Sequence, residues 1–169
     1  MTDADTHLCA HVRALREAGR HDEHLVAAGA LVAAQPSNAE AQIEAAYAHD
    51  RAGLERDAIR YYEAAHRLGV PASERRAFCV GFGSTLRNVG RADDAVAVLA
   101  QAIADDPDYP PFHAFLALAL LAAGHAPAAL AAMLGCALDV ARPGAFDRYD
   151  RALAEYHREL LGELAPPEQ

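Results

Sequence analysis

Four histidines near the start of the chain have spacings that suit metal ligands. His7 and His11 are four residues apart, and His21 and His24 are three residues apart. On a helix, both spacings place two imidazoles on one face, as in helical zinc sites. His11 and His24 are also expected to face the core and to approach each other. There is no HExxH motif, and the four side chains fall on different faces. The sequence therefore favours a polar surface with a histidine cluster over a metal site, and these four residues are the candidate ligands of the metal-site alternative.

The segment GFGSTLRNVG, residues 81–90, is superficially similar to a glycine-rich nucleotide loop. The dinucleotide fingerprint G-x-G-x-x-G follows a strand and needs a third glycine. Here Leu86 stands at that position, and the preceding residues are not typical of a strand. The sequence has no G-x-S-x-G motif, no convincing pair of carboxylates, and no lysine for a Schiff base. We therefore predict a protein that is not an enzyme and has no cofactor.

The charge of the chain argues against nucleic acid as a partner. With 24 acidic and 15 basic residues the net charge is −9, whereas nucleic-acid binding needs a basic surface. The longest apolar run, residues 115–123, is too short for a membrane span of about 20 residues. The N-terminus does not resemble a signal peptide, and three widely separated cysteines suit a reducing compartment. We expect a cytoplasmic protein that binds neither nucleic acid nor membrane.

Four glycines reveal an internal repeat. Gly19, Gly53, Gly90 and Gly124 each follow a stretch that is typical of a helix, and they are separated by 34, 37 and 34 residues. A small or compact residue stands seven positions before each glycine, and alanine stands five positions after the last three. Small residues at these two places would let paired helices approach closely. A period of about 34 residues is that of a helix–turn–helix unit.

This register, with the segments GFGSTLRNVGR and FLALALLAAG, resembles the tetratricopeptide repeat (TPR) family, in particular its bacterial group 5. The resemblance implies an all-α, right-handed superhelical solenoid that forms a single domain over residues 1–169 and serves protein–protein interaction. The expected repeats are 5–37, 38–71, 73–108 and 110–141. The expected helices are 4–18, 21–34, 38–52, 55–69, 73–89, 92–105, 110–123 and 126–141.

A ninth helix is predicted at about residues 144–164. Its apolar residues recur at spacings of three and four and would form one stripe, which comprises Phe146, Tyr149, Leu153, Tyr156 and Leu160. We expect this helix to cap the last repeat, because the end of a solenoid must be covered.

The first helix of each TPR pair is expected to line a concave groove. Counting along these helices places polar residues there in the first three repeats, and they are Arg13, Arg16, Tyr47, Asp50, Arg51, Ser84, Arg87 and Asn88. In the last repeat the groove positions are apolar and include Leu118 and Leu121. Because guanidinium binds carboxylate in a bidentate manner, the groove predicts a protein or peptide partner, and an acidic one in particular.

Two other interpretations of these residues are open. The arginines could form structural ion pairs, which need no ligand. Leu118 and Leu121 could be covered by the C-terminal helix or by a second copy of the chain, which would make the protein a self-associating structural component, such as a homodimer. Metal binding by the histidines of the first repeat is the third and weakest alternative.

The two closely spaced glycines of the GFGSTLRNVG segment are expected to serve helix packing. Gly83 occupies the small-residue position, where we expect close approach to Ala95. No repeat position requires Gly81, for which we predict close approach to a neighbouring helix.

Overall fold

The computed structural model describes residues 3–164, with side chains described from residue 7 to residue 162. In this range the chain forms nine α-helices and no strand. The helices are α1 (Asp3–Glu17), α2 (His21–Ala34), α3 (Ala39–Arg51), α4 (Glu55–Leu68), α5 (Arg75–Asn88), α6 (Ala92–Asp105), α7 (Pro110–Ala122), α8 (Ala126–Val140) and α9 (Asp150–Leu164). The eight predicted repeat helices are confirmed, with every boundary within two residues of the prediction.

The repeated glycines end the first helix of each pair. Gly19, Gly53, Gly90 and Gly124 all have positive φ, between +69° and +85°. Glycine adopts this left-handed conformation without the steric cost that a Cβ atom adds. At Gly53 the backbone N–H donates to the carbonyl oxygen of Asp50 at 3.0 Å, which caps the end of α3. The glycine spacing therefore sets the helix boundaries through local backbone geometry.

The helices divide into two compact units, of which the first contains α1–α5. In this unit successive helices pack as neighbours, and α3 also contacts both α1 and α5. Helices α1, α3 and α5 thus form one layer, against which α2 and α4 pack. Ala41, Ala45 and Ala48 of α3 are buried in the same core cluster as Ala28 and Leu31 of α2. Small side chains at these positions let the helix backbones approach closely.

An aromatic cluster joins α4 to α5. The ring of Tyr62 lies 5.4 Å from that of Phe78 and 5.5 Å from that of Phe82, measured between centroids. Gly81 lies beside it: a Cβ atom at this position would overlap the hydroxyl group of Tyr62. The prediction that Gly81 makes a close approach to a neighbouring helix is therefore confirmed, with Tyr62 of α4 as the neighbour.

The second unit contains α6–α9, in which each helix packs against the next. Leu99, Phe112, Ala117 and Ala129 are among its buried residues. Helix α9 packs on α8, where a Cβ atom at Gly135 would come within 2.9 Å of the imidazole of His157.

The C-terminal helix begins later than predicted and buries less of its apolar stripe. A short 3-10 helix, Asp147–Tyr149, precedes it, and Asp147 has a positive φ of 53°. Tyr149 and Tyr156 are 53% and 57% exposed, while Phe146, Leu153 and Leu160 are half-buried. The shift arises because Gly144 and Asp147 have positive φ, of 76° and 53°, and a continuous right-handed helix does not accept that conformation.

No helix within residues 3–164 is both long enough and apolar enough to cross a membrane.

Candidate functional site

The predicted site residues of the first three repeats lie on the helices of the α1, α3 and α5 layer, which we call the α1–α3–α5 face. Helix α1 carries Arg13 and Arg16, and the other two helices carry the rest: Tyr47, Asp50, Arg51, Ser84, Arg87 and Asn88. The side chains of Arg51 and Asn88 are exposed, and the other six are half-buried. The contacts divide them into three groups.

The first group is centred on Glu44, a buried carboxylate on α3 whose side chain is only 3% exposed. Arg16 binds it in a bidentate manner, with Nε donating to Oε2 at 3.0 Å and Nη2 donating to Oε1 at 3.1 Å. The Nε2 atom of His24, on α2, lies 2.9 Å from the same Oε2. Burial by itself raises the pKa of Glu44, but the hydrogen bonds with His24 and Arg16 outweigh that effect and lower the pKa below its usual range. Glu44 is therefore a carboxylate that joins α1, α2 and α3.

Sequence reasoning missed Glu44. It lies nine residues before Gly53, and the corresponding positions of the other repeats hold uncharged residues. A second signal was His24, which occupies the position where the later repeats have alanine. Two polar exceptions in otherwise small or apolar positions of adjacent helices indicate a buried pair.

Arg13 enlarges this group to five charged side chains. Its Nη2 lies 3.2 Å from Oε2 of Glu40 and 3.9 Å from Oε1 of Glu74, and its Nε lies 3.8 Å from Oε1 of Glu44. Two arginines thus face three glutamates, so the acidic side chains are in excess. This arrangement corresponds to the interpretation of structural ion pairs, and it leaves no excess of positive charge at Arg13 and Arg16.

The second group surrounds Tyr47, near the middle of α3. The guanidinium of Arg16 lies 5.1 Å from the centre of the Tyr47 ring, and the Tyr62 ring lies 6.2 Å away. Burial raises the pKa of Tyr47, so the phenol stays protonated. One turn further on, Asp50 accepts a hydrogen bond from the hydroxyl of Tyr62 at 3.2 Å, and burial raises the pKa of its carboxyl group.

The third group lies where α3 and α5 end. Arg87 donates from Nη2 to Oδ1 of Asn88 at 2.9 Å, and Asn88 donates from Nδ2 to Oε1 of Glu55 at 3.2 Å. Arg51 is exposed in the last turn of α3. Within the described residues, neither Arg51 nor Arg87 forms an ion pair with a carboxylate at salt-bridge distance.

The histidines of the first repeat are not brought together. His7, His11 and His21 are exposed, and only His24 is buried, where it bonds to Glu44. The prediction that His11 faces the core and approaches His24 is wrong, because His11 lies on the solvent side of α1. Among the residues that the structure describes, no group of three or more His, Cys, Asp or Glu side chains is placed to hold a metal ion.

Leu118 and Leu121 lie on α7, in the second unit. They are 38% and 59% exposed. Helix α9 packs on α8 and leaves both leucines exposed, so coverage of Leu118 and Leu121 by the C-terminal helix is excluded.

Comparison with known proteins identifies the family. The sequence profile of the family described as Tetratrico peptide repeat (TPR_5) matches residues 39–160, more than half of the 169 residues. The chain belongs to the tetratrico peptide repeat family. No curated protein matches this TPR chain in sequence.

Two solved structures share the fold. An O-GlcNAc transferase mutant from Thermobaculum terrenum matches 85% of the TPR chain with a TM-score of 0.68 and 23% identity, and the TPR chain spans 28% of that protein. YrrB, described as a TPR protein with an unusual peptide-binding site, matches 95% of the TPR chain with a TM-score of 0.65 and 15% identity, over 86% of its own length. The predicted family and the all-α helical repeat fold are therefore confirmed. TPR domains typically act as non-enzymatic modules for protein interaction.

Proposed function

We propose that this chain is a non-enzymatic interaction module that binds an extended segment of a partner protein along the α1–α3–α5 face. The observation that carries the proposal is the layer itself, in which three successive first helices present partly exposed polar side chains side by side. The TPR fold supports an interaction module in general. YrrB, which shares this fold, has a peptide-binding site, and this favours a peptide segment as the ligand.

The two ends of α3 differ in charge, and this difference gives the bound segment a direction. Glu40 and Arg51 are eleven residues apart on α3, which corresponds to about 16 Å along the helix axis. The Glu40 end carries the group of two arginines and three glutamates, which repels a carboxylate. At the other end, Arg51 is exposed, and Arg87 donates to the neutral side chain of Asn88; neither arginine has a described carboxylate at salt-bridge distance. We therefore propose that the partner segment is acidic and places its carboxylate at Arg51 and Arg87.

Tyr47 supplies the central contact of the proposed site. Its half-buried ring is held between the Arg16 guanidinium and Tyr62, so little conformational freedom is lost when a ligand packs on it. Ser84 on α5 adds a hydroxyl group for the backbone of the segment. Leu118 and Leu121 on α7 would form a separate apolar contact with the partner.

The experiment that tests the proposal measures the binding of synthetic peptide pools of equal length that differ only in charge. We expect the wild type to prefer the acidic pool over the neutral and basic pools. The double variant Arg51→Glu/Arg87→Glu is expected to lose about a hundredfold or more in affinity, since each of the two lost charge-assisted contacts is worth about 1.5–3 kcal/mol.

The matched control is Arg151→Glu/Arg158→Glu on α9, which changes the net charge of the chain by the same amount at exposed positions. It should bind the acidic pool as the wild type does. Equal losses in the two variants would mean that only the overall charge matters, and no loss in either would exclude Arg51 and Arg87 from the site.

A further inference from the structure

A pocket opens between the start of α7 and the end of α8, within the second unit. Its volume is about 360 Å³, at the lower end of the usual range for ligand pockets, about 300–1,000 Å³. The walls combine the apolar side chains of Pro107, Pro110 and Val140 with the carboxylates of Asp108 and Asp139. We call this cavity the Asp108–Asp139 pocket.

Two hydrogen bonds hold the walls of the pocket in place. His113, on α7, donates from Nε2 to the carbonyl oxygen of Pro107 at 2.8 Å. The thiol of Cys136, on α8, donates to the carbonyl oxygen of Pro110 with a separation of 3.5 Å. Both donors also line the pocket. The chain around the start of α7 is thus tied to both helices, so a ligand enters a site that is already formed and loses little affinity to ordering it.

The two carboxylates of the pocket have no positive partner within the part of the chain that the structure describes. Neither Asp108 nor Asp139 forms an ion pair there, and the exposed Arg142, which follows α8, is not at salt-bridge distance from either. The sequence around them offers few alternatives, because residues 92–141 contain six aspartates and no lysine or arginine. The negative potential along α6–α8 therefore favours a positively charged ligand.

The end of α8 is a second source of negative potential at the pocket. Ala141, the residue after this helix, is extended, with a ψ of 137°. The carbonyl oxygens of Asp139 and Val140 accept no hydrogen bond from the described residues, and the last turn of α8 contains no basic side chain. Carbonyl groups at the end of a helix need donors, and the helix dipole favours a cation beside them.

We propose that the Asp108–Asp139 pocket binds an arginine side chain of a partner protein. The guanidinium is planar, presents five N–H donors to carboxylates and carbonyls, and is more weakly hydrated than the ammonium of lysine, which suits a pocket with proline and valine walls. Among the described residues, no group of three or more His, Cys, Asp or Glu side chains is placed to hold a metal ion, so the ligand is an organic cation. This inference does not depend on the α1–α3–α5 face, which belongs to the first unit.

The test is a titration of the isotope-labelled protein with a capped pentapeptide of four glycines around one arginine, followed by amide chemical shifts. We expect the shifts to cluster around Asp108 and Asp139. Replacing the arginine of the peptide by citrulline, its neutral isostere, should weaken binding about tenfold or more, because the charge-assisted contacts are lost. Lysine in the same place should also bind more weakly, because it cannot bind carboxylates in a bidentate manner.

The variant Asp108→Asn/Asp139→Asn keeps the shape of both side chains and should weaken binding of the arginine peptide about tenfold or more. Both residues are exposed, so the helical circular dichroism should not change. The matched control is Asp93→Asn/Asp150→Asn, which removes the same charge from exposed positions of the same unit and should bind as the wild type does.

Three results would overturn the proposal. They are the absence of shifts with the arginine peptide, equal binding of the arginine and citrulline peptides, and equal losses in the two double variants. Equal binding of the lysine and arginine peptides would contradict the assignment of a guanidinium as the ligand.

Discussion

At the scale of single residues, the feature that defines the first unit is a charge in its core. Glu44 is 2% exposed and binds Arg16 and His24, so three helices meet at one carboxylate. Removing one member of a buried ionic group costs more than removing a surface pair, because the remaining partners are left buried without compensation. Glu44 is therefore the residue whose replacement should affect the stability of this unit most.

The variant Glu44→Gln is expected to lower the free energy of unfolding by about 3 kcal/mol at neutral pH. Because the pKa of Glu44 is lower in the folded chain than in the unfolded chain, its stabilisation is complete above the unfolded value of about 4.3. The stabilisation is lost as the pH falls through the lower folded value. The difference between wild type and variant should thus narrow in acid, which urea denaturation at a series of pH values measures.

The control for this prediction is Glu155→Gln on α9. Glu155 forms ion pairs with Arg151 and Arg158 at exposed positions, so its replacement should cost less than about 1 kcal/mol. If Glu44→Gln were no more destabilising than this control, the buried group would not hold the three helices together.

At the scale of helices, the junction of α4 with α5 depends on the absence of a side chain at Gly81. Alanine there gains about 1 kcal/mol in helix propensity, but its Cβ atom overlaps the hydroxyl of Tyr62. Tyr62 is 1% exposed and packed between aromatic rings, so it cannot move away without repacking. We expect Gly81→Ala to destabilise the chain by about 1 kcal/mol net, because overpacking costs about 1–3 kcal/mol.

Gly29→Ala on α2 is the matched control, measured by the same denaturation experiment. A Cβ atom at Gly29 meets nothing within 4 Å, so the alanine should stabilise the helix by about 0.5–1 kcal/mol. Stabilisation by both substitutions would show that α5 does not need glycine beside Tyr62.

The helices themselves could be predicted from the sequence because their ends are local. The repeated glycines, such as Gly53, have positive φ in all four repeats, and a small residue such as Ala58 is buried at the matching position of the last three repeats. The start of α9 could not be predicted in this way. A regular apolar stripe favoured helix from about residue 144, but the backbone of residues 144–149 turns instead.

The candidate site was predictable in its positions and not in its pairings. The repeat register placed Arg13 and Arg16 on the first helix of their pair, as observed. Their carboxylate partners Glu40 and Glu44 are 27 and 28 residues away in sequence, and no local pattern connects them. The prediction for His11 was wrong in a different way, because its repeat position predicted a buried side chain and the folded chain leaves it exposed to solvent.

At the scale of the whole molecule, the acidic excess is divided unevenly between the two compact units. Residues 1–89 contain twelve acidic and ten basic residues, and residues 90–169 contain twelve acidic and five basic residues. The α1–α3–α5 face therefore belongs to the less acidic unit, where a negatively charged segment meets less repulsion.

The most direct test of this account is to map the binding of an acidic peptide on the isotope-labelled protein by amide chemical shifts. The peptide used is the one that binds most tightly among the acidic synthetic peptides of the binding experiment described above. We predict that the largest shifts fall on α1, α3 and α5, strongest near Arg51 and Arg87, and that Arg51→Glu/Arg87→Glu abolishes them. Shifts confined to α2 and α4, or to α8, would contradict the assignment of the α1–α3–α5 face as the binding surface.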